Sequence, residues 1–298
     1  MPAPLLIACA SLLFALMGLC VKLASAHYTA GEIVFYRSLI GMGLMAVALK
    51  VRGGSLRTPV PAMHFWRSAS GVIALCLWFY AIGHLPLATA MTLNYTSSVW
   101  MALFLIGGAA WAENGRGGID GRLVAAVLAG FGGVALILRP TIEQQQLWYG
   151  LVGLASGLLA AMAYLQLTAL GRAGEPETRI VFYFSLGGVV AGALLTGADG
   201  GPSRHTADGI ALLLAIGGLA SLAQLMMTRA YSIGQTLSNA ALQYLGIVFS
   251  FGFGVWLFDD PVTPMAIGGM LLIAAAGLTA TLLSRRAHAP AAGTPTQS

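Results

Sequence analysis

Polar side chains stranded in apolar sequence are the first candidates for chemistry. The runs TLNYT and LQYLG set Asn94-Tyr95 and Gln243-Tyr244 inside otherwise apolar stretches. An amide there can donate to a carboxylate and accept from an ammonium, and a tyrosine adds a ring face and one hydroxyl. Such a set suits a zwitterion with an aromatic side chain; the same amides could instead tie helices together. Trp78, Tyr80 and His84, with Tyr164 and Gln166 as partners, add ring faces over which an ammonium gains on the order of 0.5–2 kcal/mol. Three charges belong with this set: Lys22, Glu32 and Arg37. Lys22 or Arg37 could attract a carboxylate, or Lys22 could pair with Glu32 and Arg37 with helix-end carbonyls.

Other chemistry is scarce. There is no H-E-x-x-H, no G-x-x-x-x-G-K-[ST], no G-x-S-x-G and no paired acids within an apolar run, so the sequence predicts no catalytic residue, metal or cofactor. Cys9 and Cys20 lie about 16 Å apart along one helix, too far for a disulfide, and with Cys76 read as small apolar fillers.

The elements that must position these groups follow from composition. The chain has 298 residues, 58% hydrophobic and 8% charged, against roughly a quarter charged in a soluble domain. That is an all-α polytopic membrane protein. Ten apolar segments, near 4–26, 30–50, 62–84, 86–111, 120–139, 147–171, 176–197, 207–230, 235–257 and 261–284, are each long enough to cross a core of about 30 Å. Residues 287–298, polar and Pro-rich, read as a disordered tail. The run ending in Ala24-Ser25-Ala26 resembles a leader's cleavage site, but its length, its Lys22 and its lack of a basic start favour a span.

Basic residues set the orientation. Lys50, Arg52, Arg57, Arg67, Arg116, Arg122, Arg172, Arg179, Arg229, Arg285 and Arg286 fall on the side of the N-terminus, while Lys22, Arg139 and Arg204 fall on the other. The positive-inside rule puts both termini in the cytoplasm. The net charge of +5 reflects this asymmetry and does not suggest nucleic acid. Trp66, Trp111, Trp148 and Trp256 near the span ends read as an interfacial belt.

One octet is said twice. EIVFYRSL at 32–39 returns as RIVFYFSL at 179–186, an offset of 179 − 32 = 147, and Asn94-Tyr95 aligns with Gln243-Tyr244 at 243 − 94 = 149. The chain reads as two five-span units, 1–142 and 143–286. Because five is odd, the second must be inverted relative to the first, and such repeats put their sites near mid-membrane. Asn94 and Gln243 each lie about 12 Å from the ends where their spans enter, and Arg37 about 10 Å from its own.

The two halves, the lone Lys of GLCVKLAS, the Arg of FYRSLIG and the acids closing WAENG and WLFDD resemble the drug/metabolite transporter superfamily, EamA type, over Pro4 to Arg286. Within it the chain is most similar to YddG-type exporters. The resemblance implies a bacterial inner-membrane protein exporting aromatic and other neutral amino acids and related metabolites by alternating access, with a small-molecule substrate, lipid around it and no obligate protein partner. Of ten acids only Glu32 lies near an embedded stretch, so a facilitator is expected over a proton-driven carrier. The alternatives are a proton-coupled exporter of cationic drugs and, in another class, an enzyme or scaffold acting on lipid.

Overall fold

The structure is a computed structural model. It describes residues 1–112, 146–234, 242–260 and 262–287, and the single positions 125, 129, 132, 133, 136, 236 and 239. The described residues form helices and connecting turns. They are α1 (Ala3–Ala24), α2 (Ala30–Val51), α3 (Pro61–His84), α4 (Leu87–Tyr95), α5 (Ser97–Ala112), α6 (Leu147–Arg172), α7 (Glu177–Ala198), α8 (Ala207–Ile233), α9 (Leu245–Phe258) and α10 (Pro264–Ala287). Six of them (α1, α2, α3, α6, α7 and α8) are long and apolar enough to cross a membrane. The expected fifth span, 120–139, lies almost wholly outside the described residues.

Local sequence explains where helices start. Thr29 caps α2, accepting from Glu32 N–H at 3.4 Å while Glu32 Oε2 accepts from Thr29 N–H at 3.2 Å. This reciprocal box satisfies two of the donors that a helix start leaves orphaned. Thr206 Oγ1 likewise accepts from Gly209 N–H at the start of α8, and prolines enter at the first turns of α1 and α3, where no amide is missed.

The fourth expected span, 86–111, is not one helix. It breaks at Thr96, between α4 and α5. Thr92 Oγ1 donates to Ala88 O and Thr96 Oγ1 to Leu93 O, both at 2.6 Å. Hydroxyls that bond back to their own helix compete with the backbone ladder and bend it. The ninth expected span, 235–257, is helical at its described positions 236, 239 and 242, turns at Gln243 and Tyr244, and is helical again from Leu245. Both amide-tyrosine pairs therefore sit beside a helix break.

Packing pairs α2 with α7, α3 with α6, α1 with α8 and α4 with α9. The α2–α7 contact is reciprocal. A Cβ at Gly188 would collide with Ser38 Oγ, and one at Gly41 would press on Ser185 Oγ at 3.0 Å. Positions 38 and 185, and 41 and 188, are matched residues of the repeated octet and its continuation. Small residues thus let these two backbones approach closely.

The loops are held the same way. At the start of α2, Glu32 accepts from Ser203 N–H and Oγ–H, each at 2.6 Å, and Tyr36 OH meets His205 Nε2 at 2.8 Å, fastening the α7–α8 loop. At the start of α7, Arg179 Nε donates to Ser55 O at 2.9 Å and Tyr183 OH to Leu56 O at 2.7 Å, fastening the α2–α3 loop. Each copy of the octet thus clamps a loop next to the helix that carries the other copy. Glu32 and Arg179 differ since one loop offers donors and the other carbonyls.

Large apolar side chains point outward on several helices, among them Val47, Ile73, Leu194, Leu214 and Val248. Exposed apolar side chains on so many helices belong in lipid. Trp66, Trp148 and Trp256 are exposed near helix ends, as an interfacial belt requires. The side chain of Trp111 lies outside the described residues.

Candidate substrate site

A cavity lies at mid-depth, between two buried apolar clusters. One cluster, with Met17, Ile33, Phe79, Ile82 and Leu87, fills the end where α1 finishes. The other, with Leu6, Leu167, Leu170 and Tyr231, fills the end where α1 begins. Between them the cavity is lined by Ser11 and Phe14 of α1, Arg37 of α2, Arg67, Ala74 and Trp78 of α3, Asn94 and Tyr95 of α4, Ala160 and Tyr164 of α6, Phe184 of α7, Gln224 and Met227 of α8, and Gln243. Water centres have about 60 Å³ in it, room for about four waters. A larger occupant requires the walls to move.

Two guanidinium groups dominate its electrostatics. Arg37 lies seven residues into α2 and Arg67 six residues into α3, so at 1.5 Å per residue they come about 10 and 9 Å deep from opposite ends. Both sit on one ring: the Phe184 centroid is 5.3 Å from Arg37 Cζ and 4.5 Å from Arg67 Cζ. Phe184 is the residue that replaces arginine in the second octet. The side chains are 4% and 3% exposed, and Arg37 Nε with Arg67 Nε and Nη1 make no hydrogen bond to the protein. A desolvated cation–π contact contributes about 2 kcal/mol, whereas burying an ion costs several. The ring alone does not offset two such charges, and no carboxylate lines the cavity among the described residues.

The expected residues divide into three groups. Trp78, Asn94, Tyr95, Tyr164 and Gln243 line the cavity, as does Arg37. Within it, Asn94 Nδ2 donates to Ser156 Oγ at 3.0 Å, and Gln243 Nε2 donates to Tyr231 OH at 3.1 Å. Each amide thus also ties helices, and Gln243 Oε1 has no protein partner. Tyr164 stacks on Tyr231 with centroids 5.4 Å apart. Tyr95 OH and Trp78 Nε1 are buried without a partner.

Four expected residues lie elsewhere. Tyr80 and His84 are two and six residues beyond Trp78, on another face of α3, where they form a cluster with Tyr149 at the helix end; His84 stacks on Tyr149 at 4.2 Å. Gln166 accepts from Ser70 Oγ at 3.2 Å, an α3–α6 tie. Tyr244 is buried in the apolar cluster next to Gln243.

The charges also differ from expectation. Lys22 does not pair with Glu32: its Nζ donates to Leu85 O, while Glu32 is taken up by Ser203. Among the described residues Arg37 has no helix-end carbonyl as a partner; it lies over Phe184. Asp260 Oδ2 accepts from Leu87 N–H at 2.8 Å. Burial pushes its carboxyl above the usual range, with the Leu87 amide and Lys22 opposing. These contacts lie at the end where α1 finishes. At the other end Glu175, 2% exposed, accepts from Thr58 Oγ1 and His64 Nε2 at 3.0 Å and from Arg179 Nη1. Burial favours its protonated form, but the donors from His64, Arg179 and Thr58 outweigh that and hold it below the usual range.

Sequence reasoning missed Arg67, which was counted with the cytoplasmic span ends. Its signal was available: Arg67, Gly71, Ala74 and Trp78 recur at i, i+4, i+7 and i+11, one face of a helix. Ser11, Phe14 and Gln224 were also missed.

Residues 1–139 match the EamA-like transporter family. A pseudopaline exporter of Pseudomonas aeruginosa is 35% identical over 274 residues, 91% of this chain and 93% of that protein. A riboflavin transporter of Brucella anthropi is 25% identical over 234 residues, 76% of this chain and 78% of that one. An S-adenosylmethionine uptake transporter of Rickettsia bellii is 21% identical over 257 residues, 83% and 82% of the two chains. One crystal structure superposes with a TM-score of 0.69 over 96% of this chain and 99% of its own, at 20% identity, which is a likeness of fold.

Proposed function

The chain belongs to the EamA-like transporter family as a multi-pass protein of the bacterial inner membrane, and from that premise we propose that it exports small carboxylate-bearing metabolites, amino acids among them, by alternating access. The observation that carries this reading is the cavity between two apolar clusters, with Arg37 and Arg67 among its lining residues. A carboxylate suits two guanidiniums, and the aromatic wall of Trp78, Tyr95 and Tyr164 suits an apolar or ring-bearing remainder.

Ten spans in two inverted five-span halves, with both termini cytoplasmic, are part of the proposal. Support comes from the reciprocal α2–α7 contact, the two loop clamps, the matching pairs α3–α6 and α1–α8, and the breaks beside Asn94-Tyr95 and Gln243-Tyr244. In carriers built this way, broken helices line a site at mid-membrane.

The sequence resemblance to YddG-type aromatic amino-acid exporters is narrower than what the relatives support. The relatives are named for pseudopaline, riboflavin and S-adenosylmethionine, so neutral aromatic amino acids are one cargo class among several. A cationic drug is disfavoured by like charge at the site, since two arginines would repel it. Without an acid in the cavity among the described residues, a facilitator remains the better reading than proton exchange.

The test is transport of radiolabelled phenylalanine, tryptophan, threonine and methionine by liposomes carrying the purified protein, with a proton gradient on or off. Saturable movement indifferent to the gradient is expected. Movement of cationic dyes but no amino acid, dependent on protons, would refute the reading.

A further inference from the structure

We infer that the preferred cargo is a net anion with two acidic groups, held by Arg37 and Arg67, and that the membrane potential drives its export; this rests on the transport reading above. The two guanidiniums come from different helices and face one cavity, and three of their nitrogens have no protein acceptor. Among the described residues, the buried acids that could neutralise them are committed elsewhere: Glu32 to Ser203, and Glu175 to His64 and Arg179. Their counter-charge is therefore the cargo's. One carboxylate answers one guanidinium, and a neutral zwitterion leaves the second cation buried and unpaired, with an ammonium brought close to it. A molecule with two acidic groups satisfies both.

The energetic consequence follows from the sign of the charge. In a cell that is negative inside, a net anion leaves downhill. For each net negative charge, 100 mV shifts the outside-to-inside ratio at equilibrium about 50-fold in favour of exit. No proton relay is needed, which fits a cavity without an acid among the described residues.

Glutamate and glutamine are the diagnostic probes, nearly identical in shape and differing by one negative charge. Liposomes carrying the full-length protein, loaded with either radiolabelled compound, are given an interior-negative potential of about 100 mV with potassium and valinomycin. Faster glutamate efflux under the potential is expected, toward the 50-fold ratio, with glutamine efflux slower and unchanged. Arg37→Gln and Arg67→Gln should lower glutamate efflux at least tenfold and narrow or reverse the preference over glutamine. Arg67→Lys should keep part of it, and gel filtration checks that each variant is folded. Glutamate efflux that ignores the potential, or Gln variants with unaltered preference, would overturn the inference while leaving a carboxylate exporter standing. Efflux of phenylalanine alone, with neither probe moved, would also overturn it without touching the amino-acid reading. No efflux of any amino acid would remove both.

Discussion

Replacing Glu175 with glutamine keeps the shape of the side chain and removes its charge, at the junction where α6 hands over to α7. The carboxylate accepts from Thr58 Oγ1 and His64 Nε2 at 3.0 Å and from Arg179 Nη1 at 3.0 and 3.2 Å. Bonds to an ion contribute about 1.5–3 kcal/mol each, and breaking a buried pair costs about 3–5 kcal/mol. Glutamine keeps one acceptor oxygen, and Arg179, 14% exposed, can turn to water. The expected loss is therefore near the lower bound, about 3 kcal/mol. The folded carboxyl titrates below its usual range. Its contribution is thus fully present above the unfolded carboxylate pKa of about 4.3 and is lost as pH falls through the lower folded value. Unfolding by denaturing detergent, followed by tryptophan fluorescence between pH 7 and pH 3.5, measures this. The gap between wild type and Glu175→Gln should be full at pH 7 and narrow, without closing, by pH 3.5. A variant as stable as wild type at pH 7, or a gap that persists undiminished in acid, would refute the reasoning.

Gly188→Ala should destabilise by about 1–3 kcal/mol through overpacking against Ser38, whereas Gly43→Ala, with nothing near its added Cβ, should be neutral or gain up to about 1 kcal/mol of helix propensity; the same unfolding assay separates them. Tyr36→Phe and Tyr183→Phe each remove one exposed loop clamp and should cost roughly 0.5–1.5 kcal/mol apiece, with faster proteolysis of the loop that each one fastens. Tyr95→Phe removes a buried hydroxyl that has no protein partner, so stability should be unchanged within about 0.5 kcal/mol. A several-fold rise in the half-saturation concentration for cargo would then mark that hydroxyl as a ligand contact.

The membrane class and the helix positions were legible because hydropathy is a sum over about 20 residues and tolerates local exceptions. The break at Thr96 was not, since a hydroxyl turned back on its own helix leaves hydropathy unchanged. Asn94, Tyr95 and Gln243 were found at the cavity because a polar group in an apolar run has few other places to go. Tyr80 and His84 were grouped with Trp78 by nearness in sequence and do not line the cavity: two residues along a helix is 200° around it. Arg67 was overlooked for the opposite reason, as a basic residue near a span end is usually an orientation signal, and only its helical register with Trp78 distinguishes it. Pairings such as Lys22 with Leu85 O join residues 63 apart, and no local pattern reports them.

The mismatch inside the repeat has a kinetic meaning. Arg37 and Phe184 occupy corresponding places, as do Trp78 and Met227, and both cavity arginines come from the first half. On the proposed alternating-access reading, a cargo fixed by those cations rides with one half while the other half moves past it. The inward-open and outward-open forms are then chemically distinct, so the half-saturation concentrations measured from the two faces of the membrane should be unequal. Thermodynamic closure of the cycle ties the ratio of the two dissociation constants to the ratio between the empty and the loaded equilibria of the two forms. Asymmetry of this kind sets how sensitively each face responds to cargo, while the direction of net flow stays with the gradients.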